Sequence, residues 1–198
     1  GERAQSGRFR QFYQCDIDTV GSASPASDAE ILAVISDSLK VLNFSDFTIR
    51  VNSRQILFDL IIKSNIPSNK SLTVLQSIDK LDKKSREEVQ TELESKQINL
   101  SQIKDLFYYL DQARPDPLIK EIIDLAKKMG AKNIKFDPNL VRGLDYYTGA
   151  IFETMVEKPK IGSITGGGRY DQLIKTLGGP DLPAVGTTIG LDRICDVI

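Results

Sequence analysis

The chain has 198 residues, 26 basic against 27 acidic side chains and no histidine. That balance argues against a module that grips nucleic acid by bulk positive charge, so any RNA contact has to be local. The missing histidine removes Ser-His, Cys-His and imidazole-metal chemistry together, leaving arginines, carboxylates, tyrosines and the substrates themselves to carry any reaction. Cys15 and Cys195 stand far apart without a partner at ligand spacing, and read as reduced, partly buried thiols rather than a disulfide or zinc site. A hydrophobic share of 40% suits a soluble globular protein with one large core or a core plus a smaller unit. No run of about 18 apolar residues and no signal-peptide pattern is present, which makes the cytoplasm the expected compartment.

Residues 10–21 alternate loosely, with Phe12, Gln14, Asp16 and Asp18 on one parity and Tyr13, Cys15, Ile17 and Thr19 on the other. This is a strand pattern, and one of its faces lines up an amide and two carboxylates, a row too costly to bury without partners. Ser27, Asp28, Ala29 and Glu30 read as a capping box, with Ser27 capping and Glu30 reaching back. The helix it opens carries the apolar stripe Ile31, Ile35, Leu39 and Leu42 and is expected to cover a sheet. Phe47, Ile49 and Val51 then alternate with Thr48, Arg50 and Asn52 as the next strand, and Ile56, Leu57, Leu60 and Ile61 mark a short helix.

Over residues 66–130 the chain turns helical, charged and strand-poor, with Leu72, Leu75, Ile78 and Leu81, then Val89 and Leu93, at helical spacing. This stretch reads as an inserted helical unit between two parts of a core, 1–65 and 131–198. The mixed signs of Lys80, Lys83, Lys84, Arg86, Glu87, Glu88, Glu92 and Glu94 favour a solvated helix face over an RNA patch. Its last helix is expected to start near Pro117 and to end at Gly130, behind Lys127 and Lys128 in the final turn. Strands resume at Ile134 and are expected over 146–156 and 161–165.

Residues 140–149, Leu-Val-Arg-Gly-Leu-Asp-Tyr-Tyr-Thr-Gly, pack a cation, an acid, two phenols and two glycines into ten positions. A surface turn gains nothing from adjacent tyrosines, and a core strand loses by burying Arg142 and Asp145, whereas a pocket for a small, charged, aromatic ligand uses all of them. Three other segments join it: 7–18, from Gly7 to Asp18; Gly166-Gly167-Gly168-Arg169-Tyr170-Asp171; and Gly186-Thr187-Thr188-Ile189-Gly190-Leu191-Asp192-Arg193. Each is weak alone, and the combination is specific. The triple glycine lacks the Lys-Ser/Thr of a Walker loop, so its expected role is close backbone approach.

In this order the four segments resemble the motifs of histidyl-tRNA synthetase, a class II aminoacyl-tRNA synthetase, over nearly all of the chain outside the helical unit. Residues 7–21 resemble the loop and second strand of motif 2, and Gly190-Leu191-Asp192-Arg193 resembles motif 3. Leu-Val-Arg-Gly-Leu-Asp-Tyr-Tyr and Gly-Gly-Gly-Arg-Tyr-Asp resemble the two histidine-specific signatures. The resemblance implies an α+β fold, an antiparallel sheet flanked by helices with an inserted helical unit, in a homodimer without a membrane segment. It implies two reactions: histidine and ATP form histidyl-adenylate, which then acylates the acceptor end of tRNA(His). Asp18 and Asp192 stand where many members carry Glu. The motif 2 arginine, motif 1 and an anticodon-binding domain fall outside the chain, which therefore reads as a segment of a longer protein, expected to be inactive alone.

Chemistry supports the roles that the resemblance implies. Gln14 and Asp18, on one strand face, can accept the hydrogens of an amino acid's ammonium group, with Asp16 one layer away from the ligand or in solvent. Tyr146, Tyr147 and Tyr170 can supply ring faces and hydroxyls to an imidazole. If residues 146 and 147 lie in a regular strand they point to opposite sides, so both reach one pocket only through a bulge or a backbone contact. Adenylation gathers negative charge on the α-phosphate and calls for positioned cations. Arg142 matches the family's catalytic arginine, which also touches the histidine, and Arg193 the motif 3 arginine near adenine and the γ-phosphate. Glu2 is assigned to the adenine amino group and Arg10 to phosphate or tRNA. Mg2+ is expected with ATP, no organic cofactor is implied, and no protein metal site is expected. The rival reading is a synthetase-like regulatory subunit of ATP phosphoribosyltransferase that senses histidine without acylating RNA; Arg142, Arg193 and the helical unit favour the synthetase.

Overall fold

A computed structural model describes residues 11–158 and 161–198. Six strands form one sheet: β1 (Gln14–Val20), β2 (Phe47–Ser53), β3 (Ile134–Phe136), β4 (Ala150–Val156), β5 (Ser163–Arg169) and β6 (Ala184–Gly190), in the order β1-β6-β5-β4-β2-β3. Every neighbouring pair is antiparallel except β2 with β3, which run parallel at one edge. The helices are α1 (Pro25–Val41), α2 (Arg54–Lys63), α3 (Ser71–Ile78), α4 (Arg86–Ser95), α5 (Leu100–Gln112), α6 (Pro117–Lys128), α7 (Leu173–Thr176) and α8 (Leu191–Val197). Among the described residues no helix is long and apolar enough to cross a membrane.

Helix α1 starts three residues ahead of the expected capping box. Ser24 caps it, its side chain accepting from the Ala26 N–H, and Pro25 occupies the first turn. Proline is pre-set for helical φ and has no N–H to leave unsatisfied there, so Ser24-Pro25 outcompetes Ser27 as the start. The freed Ser27 hydroxyl donates to Ser22 Oγ at 2.7 Å, and Asp28 turns inward. Leu42, placed on the apolar stripe, lies past the helix end and is exposed. Helix α6 matches expectation: Asp116 caps it, and Gly130 takes a φ of +94° just beyond Met129.

Two apolar clusters sit on opposite faces of the sheet. On one face, Ile31, Ile35 and Leu39 of α1 and Ile119 and Ile122 of α6 pack on Ile49, Val51, Phe152, Val185 and Ile189. On the other, Leu57, Leu60 and Ile61 of α2 join Leu75, Ile78, Val89, Leu93, Ile103 and Leu106, and the cluster reaches the sheet at Ile151. Helix α6, within residues 66–130, thus belongs to the first cluster, while α2, before residue 66, packs with α3 and α5. Helices α3, α4 and α5, called the helical unit below, pack on one another and on α2; their cluster meets the sheet at Ile151 of β4, while Gln14, Asp16 and Asp18 of β1 stay exposed.

Two further expectations change. Residues 146–149 are not strand: Gly143 takes a φ of +53°, and the N–H groups of Tyr146 and Tyr147 both reach back to its carbonyl at 3.3 and 3.1 Å. A tight turn therefore precedes β4, because glycine at 143 admits the left-handed conformation that a strand excludes. The strand expected over 161–165 runs instead from Ser163 to Arg169 and contains the triple glycine. Both cysteines are free, and both are exposed rather than partly buried.

Candidate active site

The site lies on the face of the sheet that carries the helical unit, at the end the unit leaves open. Residues directly opposite in a ladder share a face. One row runs Asp18, Gly186, Gly168, Ile151, Asn52, and the next runs Asp16, Thr188, Gly166, Glu153, Arg50, with Gln14 opposite Gly190 beyond them. Gln14, Asp16 and Asp18 thus share a face, as their parity requires, and it is floored by glycines. A Cβ at 186 would overlap the Asp18 carboxylate and stand 2.8 Å from the Ile17 carbonyl; one at 168 would stand 2.6 Å from the Ala150 carbonyl and 3.0 Å from the Tyr147 ring. Gly166 meets nothing within 4 Å. Gly168 and Gly186 therefore let a ring and a carboxylate lie against the backbone, and Gly166 leaves a piece of bare floor.

The tyrosines gather around that floor. Tyr170 follows directly on β5 and its hydroxyl donates to Asp18 Oδ1. The tight turn removes the strand alternation that would have separated Tyr146 from Tyr147, and their ring centroids lie 4.3 Å apart. Tyr147 packs under Gly143 and over Gly168. Burial pushes its hydroxyl pKa up, reinforced by the hydrogen bond with Tyr146, and burial followed by the bond to Asp18 does the same for Tyr170. Both phenols therefore keep their protons at neutral pH and stay available as hydrogen-bond donors. The turn is stitched to the end of β5: the Thr148 N–H donates to the Arg169 carbonyl at 2.7 Å, and the Asp171 N–H to Thr148 Oγ1 at 3.1 Å.

Arg142 and Arg193 come together at Ser163. Arg142 Nη2 donates to Glu153 Oε1 and, at 3.3 Å, to Ser163 Oγ. Arg193 Nη1 donates to the Ser163 carbonyl and lies 3.4 Å from Ser163 Oγ. A bulge makes this possible. The β4–β5 register slips between Thr154 and Met155, so Ser163 pairs with Met155 and turns toward the two arginines. Asp192, beside Arg193, accepts the Tyr13 N–H at 2.7 Å and ties α8 to the entry of β1. A cleft of about 500 Å³ opens between the 142–145 loop and the helical unit, with Gln76, Asp79, Lys80 and Lys96 on the helical side. Glu2 and Arg10 lie outside the described residues.

Several residues that organise the site escaped the sequence reading. Arg169, from the Gly-Gly-Gly-Arg segment, points to the opposite face, where it pairs with Asp28, bonds Asp171 at 3.1 Å and holds the Ser22 carbonyl at 3.1 Å. It fixes the end of β5, and hence Tyr170, to the start of α1. On the ligand face, Glu153 is 1% exposed and takes Arg142 on one oxygen and Arg50 on the other, the latter at 3.2 Å. Arg50 in turn bonds Asp82 at 2.7 and 3.0 Å and Asp137 at 2.7 Å. Burial works to lower the Arg50 pKa, but Asp82, Asp137 and Glu153 outweigh it and raise it, so the guanidinium is charged throughout. The available signal was one acid, Glu153, the single charged residue of β4, and one base, Arg50, the single charged residue of β2.

An antiparallel-dominated sheet backed by α1 and α6, with a glycine-floored face and arginines at its edge, defines a class II synthetase-type fold. The model for the family described as histidyl-tRNA synthetase matches residues 2–194. The chain belongs to the histidyl-tRNA synthetase family. It is 43% identical to a histidine–tRNA ligase of Gloeobacter violaceus over 98% of this chain and 47% of that one, and 38% identical to one of Aeropyrum pernix over 98% and 49%. The chain thus spans about half the length of these curated relatives. Its structure matches a histidyl-tRNA synthetase from a Nostoc species with a TM-score of 0.85 at 30% identity, over 95% of this chain and 50% of that one. A Bacillus halodurans protein described as an ATP phosphoribosyltransferase regulatory subunit/histidyl-tRNA synthetase shares the fold, with a TM-score of 0.78 at 18% identity.

Proposed function

We propose that this chain is the part of a histidine–tRNA ligase that activates histidine with ATP and passes the histidyl group to the acceptor end of tRNA(His), in a cytoplasmic homodimer. The observation that carries the reading is the approach of Arg142 and Arg193 to one serine, Ser163, beside a glycine floor whose far row holds Asp18 under Tyr170. In this reading Asp18 and Gln14 accept the hydrogens of the histidine ammonium group, which fixes the orientation of the carboxylate. Tyr146, Tyr147 and Tyr170 hold the imidazole, their rings and hydroxyls offering partners to ring nitrogens that a merely shape-matched pocket would leave unpaired. A histidine carboxylate oxygen bonds to the α-phosphorus as the bond from that phosphorus to the leaving pyrophosphate oxygen breaks. The arginines stabilise the negative charge that builds there: Arg142 at the α-phosphate and carboxylate, Arg193 toward the adenine and γ-phosphate. No proton is abstracted, consistent with a chain free of histidine. Mg2+ arrives with ATP as part of that substrate.

Glu2 and Arg10 complete the ATP contacts in this reading. The 198 residues span about half the length of the curated relatives, and by themselves they are expected to show no histidine-dependent ATP–pyrophosphate exchange, because interactions that act as a unit contribute little when taken in part. The decisive experiment uses the full-length parent protein. Histidine-dependent exchange and histidylation of tRNA(His) are expected, and Arg142→Ala is expected to lower exchange by about a hundredfold or more. Adenylate formation that survives undiminished in that variant would overturn the role of Arg142. Histidine binding without exchange or acylation would favour the regulatory-subunit reading instead.

A further inference from the structure

The charged row opposite Asp16 does not end at the ligand. Glu153 is fully buried on the ligand face, and its two carboxylate oxygens hold two different arginines, Arg142 at the open side and Arg50 at the covered side. A guanidinium on a flexible stem is useful at an α-phosphate only if its direction is fixed before the substrate arrives. The Arg142 side chain is 46% exposed, so packing alone does not fix it; a carboxylate without freedom to move does. Arg50 fixes that carboxylate, and Arg50 is itself held by Asp137 next to β3 and by Asp82, which lies after α3 in the helical unit.

We propose that Glu153 is a positioning residue for Arg142, and that Arg50 and Asp82 couple this arginine to the placement of the helical unit. The chain of contacts is continuous: Asp82 to Arg50, Arg50 to Glu153, Glu153 to Arg142. Any shift of the helical unit over the cleft that separates it from the 142–145 loop therefore changes the aim of the guanidinium. The inference rests on the proposed adenylation, with Arg142 as its cation.

The test uses the full-length parent. If the unmodified protein catalyses no histidine-dependent exchange, the functional reading fails and not this one, so exchange by that protein comes first. Glu153→Gln keeps the shape and leaves Arg50 its two other carboxylates. It is expected to lower the exchange kcat by about thirtyfold with KM for ATP and histidine within about twofold, and Asp82→Asn, at a half-exposed site away from the substrates, by about threefold. Binding of a non-hydrolysable histidyl-adenylate analogue separates positioning from general damage. Glu153→Gln should weaken it in the parent and add nothing in an Arg142→Ala background, because its effect passes through that guanidinium. An unchanged exchange rate in either single variant, or additive losses in the double variant, overturns the proposal. If Glu153→Gln fails to fold, the Asp82→Asn rate and the same analogue measured with Asp82→Asn and Arg142→Ala decide it alone.

Discussion

At one end of the ligand-side face of the sheet, Asp18 lies exposed above Gly186 with the Tyr170 hydroxyl on it. At the other end, Arg50 and Glu153 are buried beneath the helical unit, and every strong partner they have is a protein charge: Asp82, Asp137 and Arg142. The two ends belong to one sheet and carry the same kinds of group. What differs is the cover. Under the helical unit a charge must be matched by another charge of the chain, because burial without a partner costs several kcal/mol. In the open half water solvates the groups until a ligand replaces it, so acids and phenols there can be arranged for a ligand rather than for each other. Stability is concentrated in the covered half, and the proposed recognition falls to the open one.

The comparison can be broken most sharply at Arg50. Arg50→Met removes the one cation shared by Asp82, Asp137 and Glu153, and is expected to cost about 3–5 kcal/mol of stability in urea unfolding. A loss below about 1 kcal/mol would mean that the covered half is not held by its charges. The glycine floor gives the next largest effect. At Gly168 an added methyl group would press on the Ala150 carbonyl, 2.6 Å away, and on the Tyr147 ring at 3.0 Å. Gly168→Ala is expected to destabilise by about 1–3 kcal/mol, with altered Tyr147 fluorescence, while Gly166→Ala, facing open space, leaves stability within about 0.5 kcal/mol and weakens ligand binding. Equal stability losses at the two glycines would contradict the division between a packed and a bare floor.

Much of this is legible in the sequence alone. The row of Gln14, Asp16 and Asp18, the apolar stripe of α1, β2 and the capped end of α6 all follow from period and punctuation, which depend on local residues. The motif segments contain Arg142 and Arg193, which meet at Ser163, and Tyr146, Tyr147 and Tyr170, but they also contain Arg169, which turns to the other face, and they omit Arg50. The errors share a cause. Ser24-Pro25 against Ser27, and Gly143 against a strand through Tyr146 and Tyr147, are contests between two local signals, decided by a proline's φ in one case and a glycine's in the other. Glu153, Arg50, Ser163 and Arg169 were missed for a different reason. Apart from Asp171, which stands two residues from Arg169, their partners lie 11 to 147 residues away along the chain, and only the tertiary fold brings them together.

Acid provides a milder probe, directed at the helical unit itself. Glu92 accepts Lys80 and Lys96 at 2.6 and 2.7 Å, and these bonds hold its carboxyl down to about 2, against 4.5 for the free group. A depressed carboxylate contributes stability that is fully present above its unfolded pKa and is lost as pH falls through the folded one. The window is therefore pH 4.5 down to about 2. Because the lysines are partly solvated, the contribution is discounted to about 1–2 kcal/mol. Glu92→Gln should be less stable than the parent by that amount at pH 7, and the gap should close by pH 2; a gap that stays constant with pH would place the stabilisation in packing rather than in charge.

The smallest stability effect is expected where the functional effect is large, at Tyr170. Its hydroxyl donates to Asp18 on the open half, where water can replace it, so Tyr170→Phe should change the unfolding free energy by no more than about 0.5 kcal/mol. Histidine binding is another matter. With the hydroxyl gone, Asp18 loses the partner that fixes its direction, and an amino-acid ammonium group meets a carboxylate free to rotate. A hydrogen bond to a charged group is worth about 1.5–3 kcal/mol, which corresponds to an affinity loss of about tenfold or more for histidine, measured by calorimetry on the full-length parent. The same substitution should leave ATP affinity almost unchanged, because Arg142 and Arg193, the arginines proposed for the phosphates, meet at Ser163 and not at Asp18. If instead the variant unfolds more easily and still binds histidine normally, Asp18 and Tyr170 are a structural pair, and the open half obeys the same rule as the covered one.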